Sequence, residues 1–188
     1  MSQPVLNETF HWFDDTSFQN SRFSPAETQR VRRAFRGIPR RVLLNPGEFL
    51  YRFKSNRFLT HEGQPSAWWL PAEAVEEIRR LQRDTKLSFE EVVRATCSLA
   101  FDFQGKCAFE LRARLLVPIY AFIGPISRES LLVDPYAGRG KKFNPELSKL
   151  RSLSGYLNQL FVPNLKSANL SPAHWAISGP SGAFSLIT

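Results

Sequence analysis

An arginine set inside an apolar stretch, Glu48-Phe49-Leu50-Tyr51-Arg52-Phe53, is the residue of this chain with the most chemical promise. The alternating pattern predicts a strand, and a guanidinium carried into a sheet needs an anionic partner. Its planar fork of donors suits phosphate, which makes a nucleotide or dinucleotide the first ligand to consider. A nearby carboxylate would satisfy the same group, and the sequence leaves both partners open. A second basic feature lies upstream. Six arginines fall between Arg30 and Arg41, interleaved with Val31, Phe35 and Val42. They predict a basic face on a helix and the loop after it, suited to phosphate or nucleic acid or simply to solvent.

Other chemistries find little support. His11, His61 and His174 are scattered without metal-ligand spacing, so no metal site is expected. Cys97 and Cys107 have neither the spacing of a zinc pair nor that of a redox pair, and read as ordinary thiols. No G-x-S-x-G elbow occurs. Gly138-Arg139-Gly140-Lys141-Lys142 lacks the spacing of a phosphate-binding P-loop and reads as a flexible basic loop.

The elements that must position Arg52 follow from composition and periodicity. A chain of 188 residues, 43% hydrophobic and with 16 Phe and 4 Trp, fits a single domain over residues 1–188 with an aromatic-rich core. The net charge of +8 favours phosphate-bearing partners without choosing among them. The start of the chain, MSQPVLNETFHWFDD, has neither the basic opening nor the apolar run of a Sec signal, and no stretch is long enough to span a bilayer. A cytoplasmic location is therefore expected, or delivery into a target cell without such a signal.

Ser24-Pro25-Ala26-Glu27 predicts a helix start, with an end near Gly37. Pro71 opens a second helix on which Ala74, Val75, Ile78 and Leu81 share a face, and Ser88-Phe89-Glu90-Glu91 is a capping box for a third, running to about Phe103. From Leu111 the residues favour strands, with Pro118 marking an edge strand or a bulge. Pro135 to Leu153 reads as a loop, and Tyr156 to Val162 and Phe184 to Ile187 as the last strands.

A Leu-Tyr-Arg strand, a Trp-containing loop followed by helices, apolar strands, and Ser154-Gly155-Tyr156-Leu157-Asn158-Gln159-Leu160-Phe161-Val162-Pro163-Asn164 come in an order that resembles the ADP-ribosyltransferase superfamily, in particular the small toxin-like domains of bacterial conflict systems. The resemblance covers roughly Phe49 to Val162. It implies an α+β fold with a split, mostly antiparallel β-sheet and flanking helices. Residues 46–188 would form a catalytic core, preceded by a basic helical segment over 1–45. It also implies NAD as co-substrate, split at the nicotinamide–ribose bond, and transfer of ADP-ribose to a protein or nucleic-acid acceptor, with a cognate immunity protein or antitoxin as partner.

Carried over by position, Arg52 matches the arginine that grips NAD. Ser66 with Trp68 and Trp69 matches the middle element that orders the site and covers nicotinamide, a contact worth about 0.5–2 kcal/mol by cation–π attraction. Core packing is the competing role for that Trp pair, and Tyr120 or Tyr136 is an alternative ring. At the third element the sequence departs from the usual glutamate and offers Asn158-Gln159, with Gln159 expected to orient the ribose. An amide holds the hydroxyl without the negative charge, and electrostatic contributions of that kind reach about 3–4 kcal/mol. Glu129, Asp134 or Glu146 is expected to supply a compensating carboxylate. A reading from another class remains beside this one: a non-catalytic basic protein that binds nucleic acid or a partner through the Arg30–Arg41 cluster.

Overall fold

The computed structural model describes residues 31–54, 60–61, 64–85, 87–97, 109–127, 157–178 and 183–187. Within them the chain forms β1 (Arg40–Leu44), β2 (Phe49–Lys54), β3 (Thr60–His61), β4 (Gln64–Pro65), β5 (Trp68–Trp69), α1 (Ala72–Asp84), α2 (Phe89–Thr96), β6 (Phe109–Leu115), β7 (Ile119–Pro125), β8 (Asn158–Phe161), β9 (Leu170–Ser178) and β10 (Ala183–Ile187). This is an α+β architecture in which every ladder is antiparallel. One four-stranded sheet has the order β1-β7-β8-β5, the other β10-β9-β6-β2, and β3 with β4 makes a small hairpin.

The two large sheets touch at an edge through a single residue pair. Tyr51 of β2 donates its N–H to the Leu70 carbonyl at 3.0 Å, and the Leu70 N–H returns the bond at 2.8 Å. Leu70 directly follows β5, so the edge of the first sheet is pinned to the edge strand of the second. Between the sheets Leu44, Trp69, Ile119, Ala121, Leu160 and Val162 meet Leu50, Leu111, Ala113, Leu115 and Leu170 in one apolar layer.

The outer face of the second sheet is covered by the helices. α1 buries Ala74, Val75, Ile78 and Leu81, and with α2 packs against Phe53 and Tyr51. The predicted capping box of α2 is present: the Ser88 Oγ accepts from the Glu91 N–H at 3.3 Å, and the Glu91 carboxylate accepts from the Ser88 N–H at 2.9 Å. The helix is described to Thr96, and the expected extension to Phe103 lies outside the described residues.

Three differences from the sequence reading have local causes. Arg40–Leu44 was expected in a helical or loop region and is instead a strand paired along its length with β7. The division expected at residue 45 therefore falls in the turn Asn45–Glu48 that carries the chain from one sheet to the other. That turn is held by the Glu48 carboxylate, which accepts from the Asn45 N–H at 2.8 Å, and by Gly47 at φ +95°, a conformation that costs glycine little. Pro118 lies in the short link between β6 and β7, both of which are interior strands, so it marks neither an edge nor a bulge. Leu170–Ser178 was not among the expected strands. β10 covers β9 only from His174 onward, so the missing N–H of Pro172 faces no described strand.

On the helix side of the second sheet one carboxylate is fully withdrawn from water. Glu110 accepts from Arg79 Nη2 of α1 at 2.7 Å and from Arg112 Nε at 2.6 Å. Removing the carboxylate would leave two guanidinium groups without their shared counter-charge. Glu110→Ala is expected to lower stability by about 3–5 kcal/mol, read from the midpoint of chemical unfolding.

Candidate functional site

The alternation along β2 decides what Arg52 faces. Leu50 points into the layer between the sheets, while Tyr51 and Phe53 point to the helices. Arg52 and Lys54 share the face of Leu50 and thus look into the space between the sheets. Across the ladder their partners are Leu111 and Phe109, and the next row continues from Leu111 to the backbone of His174 on β9.

Both cations are half-buried. Burial pulls the Arg52 guanidinium below the usual arginine range. Lys54 is pulled below its ordinary 10.5 by burial first and by the neighbouring Arg52 charge second. Neither makes a hydrogen bond or an ion pair with a described residue. The partner carboxylate that would have made Arg52 purely structural is therefore not among them. Glu110, next to this row in sequence, projects to the opposite face and is committed to Arg79 and Arg112. The sheet thus separates its charges: a neutralising cluster toward α1 and two adjacent cations on the inter-sheet face of β2.

Asn158 opens β8 opposite Pro125, on the same inter-sheet face as Leu160. Its carboxamide is half-buried and makes no hydrogen bond with a described residue. Gln159, one residue on, necessarily faces the other way. Its Nε2 donates to the Ala34 carbonyl at 2.6 Å, and the same oxygen accepts from the Ser127 N–H at 2.8 Å. Gly124, its partner on β7, makes room for this N-terminal segment: a Cβ there would lie 3.0 Å from Phe35 Cδ1 and 3.2 Å from Pro39 Cα. Gln159 fastens the segment to the outer face of the first sheet. Gln159 therefore lies on the outer face of the first sheet, and Asn158 is the amide that shares the inter-sheet face.

The aromatic residues divide between the two faces. Trp69 belongs to the inter-sheet core and is 2% exposed, with its indole N–H donated to the Ser66 carbonyl at 2.7 Å. Trp68 turns to the outer face, its ring 5.5 Å from Phe35 and 4.9 Å from Phe161. Tyr120 lies on that outer face as well, beneath Arg41, whose guanidinium carbon is 3.6 Å from the ring centre. The Ser66 Oγ accepts from the Trp68 N–H at 3.1 Å, a turn-forming role at the start of β5. The described ring on the cation face, other than buried Trp69, is Phe109, opposite Lys54. Lys54 and Phe109 were missed by the sequence reading, although their place two residues past Arg52 and on a paired strand was the available signal. Tyr136, Glu129, Asp134 and Glu146 lie outside the described residues.

The upstream arginines form a different surface. Arg32, Arg33, Arg36 and Arg40 are exposed, whereas Val31 and Phe35 are buried against Phe122 and Phe161. Among the described residues no group of His, Cys, Asp and Glu could hold a metal ion, and no helix is long and apolar enough to cross a membrane.

No protein-family model and no curated protein matches this sequence. Among solved structures, Rhs1-CT in complex with its cognate immunity protein RhsI1 aligns at a TM-score of 0.43 and 13% identity, over 84% of this chain and 88% of that one. Tse6 in complex with Tsi6 aligns at a TM-score of 0.40 and 14% identity, over 92% and 90%. EcPltA aligns at a TM-score of 0.29 and 13% identity, over 76% and 83%. Likeness at this distance assigns neither fold family nor chemistry.

Two outcomes follow from the geometry. Gln159→Glu turns a donor into a second acceptor against the Ala34 carbonyl, and is expected to lower the melting temperature, a loss of about 1–3 kcal/mol. For Lys54 the depressed folded-state pKa means that its charge opposes folding while both states are protonated, and this opposition fades as pH rises through the folded value toward 10.5. Lys54→Met is therefore expected to melt higher than the wild type at pH 7, with the gain shrinking as pH approaches 10.5 in a thermal series.

Proposed function

We propose that this chain is an NAD-dependent ADP-ribosyltransferase-like toxin or effector, with its nucleotide site at the mouth between the two sheets. The observation that carries the proposal is the pair Arg52 and Lys54, half-buried on one strand face with no described carboxylate to balance them. Two desolvated cations without a counter-ion destabilise the free protein and favour an anion held by several oxygens. A diphosphate meets that requirement. The mostly antiparallel α+β architecture supports this reading, and the carboxamide of Asn158 on the same inter-sheet face offers hydrogen bonds to a ribose hydroxyl.

In this reading Arg52 binds the diphosphate and Asn158 positions the nicotinamide ribose. The glycosidic bond breaks with its electron pair passing to the nicotinamide nitrogen, which leaves as a neutral base without needing a proton. An acceptor nucleophile then bonds to the ribose carbon and releases its own proton. The space between sheets contributes by excluding water, which strengthens the cation–phosphate attraction. A protein or nucleic-acid acceptor and a neutralising immunity protein or antitoxin belong to the same proposal.

The exposed guanidinium strip Arg32, Arg33, Arg36 and Arg40 favours a second reading, in which the chain binds nucleic acid without chemistry. The two readings part in one assay of nicotinamide release from NAD with crude lysate or nucleic acid as acceptor. Under the transferase reading, Arg52→Ala abolishes release while the Arg33→Ala/Arg36→Ala variant retains cleavage. Under the binding reading there is no turnover, nucleic-acid binding falls steeply with salt, and the loss tracks Arg33 and Arg36.

A further inference from the structure

Lys54 stands two residues beyond Arg52, which places their Cα atoms about 6.6 Å apart along the strand and their side chains on one face. Phe109 lies opposite Lys54 across the ladder, and Leu111 opposite Arg52, so an apolar floor runs alongside both cations. Within β2, β6 and β9 no carboxylate shares this face. A single phosphate would engage one of these groups well and leave the other desolvated and unbalanced. Two linked phosphates span both: the planar guanidinium takes one in a bidentate grip, and the ammonium, a compact charge on a flexible stem, reaches the other.

We infer that Lys54 is the second cation of a diphosphate clamp and that it sets the preference of the site for diphosphate over monophosphate ligands. The inference rests on the reading of the inter-sheet mouth as the nucleotide site, and goes beyond it by assigning the selectivity to a residue outside the resemblance. Lys54 supplies charge where the ligand's second phosphate sits, so its loss spares ligands that have only one. The like charge of Arg52 and the shared burial that depress the Lys54 pKa are relieved together when two phosphates bind, and only partly when one does.

The test is calorimetric titration of the full chain with ADP-ribose, AMP and inorganic pyrophosphate, for the wild type, Lys54→Gln, Lys54→Arg and Arg52→Gln. Lys54→Gln is expected to weaken ADP-ribose and pyrophosphate by about tenfold or more, to change AMP by less than about twofold, and to be rescued by Lys54→Arg. Arg52→Gln is expected to weaken all three. Equal weakening of AMP and ADP-ribose by Lys54→Gln, or no effect on either, overturns the clamp. Binding of ADP-ribose that depends on Arg52 but ignores Lys54 also overturns the clamp while leaving the nucleotide site standing. Pyrophosphate binding through both cations in a protein that ignores ADP-ribose supports the clamp and removes the NAD reading, and the melting temperature of each variant separates lost binding from lost folding.

Discussion

Side chains alternate along β2, and both of its faces are covered: that constraint organises the rest of the molecule. One face must satisfy the helices and receives Tyr51 and Phe53, while the other closes the gap between the sheets and receives Leu50, Arg52 and Lys54. The pairing of Tyr51 with Leu70 fixes this strand to the edge of the first sheet and so sets which face carries its cations. The same alternation on β6 sends Glu110 to the helix side, where Arg79 and Arg112 consume it. Charge that neighbours in sequence is thereby separated in space, and the Arg52 row is left cationic.

Much of the helical layer was legible in the sequence, because its determinants are local. The capping box at Ser88 and the apolar stripe of α1 depend on residues within a few positions of each other. The strand around Arg52 was legible for a similar reason. β1 and β9 were not: the arginines of Arg40–Leu44 suggest a solvated flank, and only pairing with β7 makes the segment a strand. In β9 Pro172 is tolerated because of where β10 ends, which no local pattern shows.

The candidate site was legible in part, and what stayed open has one origin. Trp68 and Trp69 are consecutive in a strand, so they face opposite sides, and the sequence alone does not say which of the two rings shares a face with Arg52. Asn158 and Gln159 pose the same choice, and a shift of one position exchanges their faces. Sequence type favoured Gln159, but the Ala34 carbonyl, 125 positions away, takes its amide. Long-range partners of this kind leave no local trace. Lys54 was overlooked because its meaning depends on Arg52 being half-buried and on Glu110 being spent elsewhere, both properties of the folded sheet.

The proposal stands or falls on whether the two cations on the inner face of β2 seat a diphosphate, and a crystal structure of the full chain grown with ADP-ribose decides it. The expected result is a diphosphate between the sheets in contact with the Arg52 guanidinium, with the ribose on the Asn158 side. Ligand held instead at Arg33 and Arg36 on the outer surface, with the Arg52 row empty, would contradict the account and make the sheet a scaffold for the basic strip.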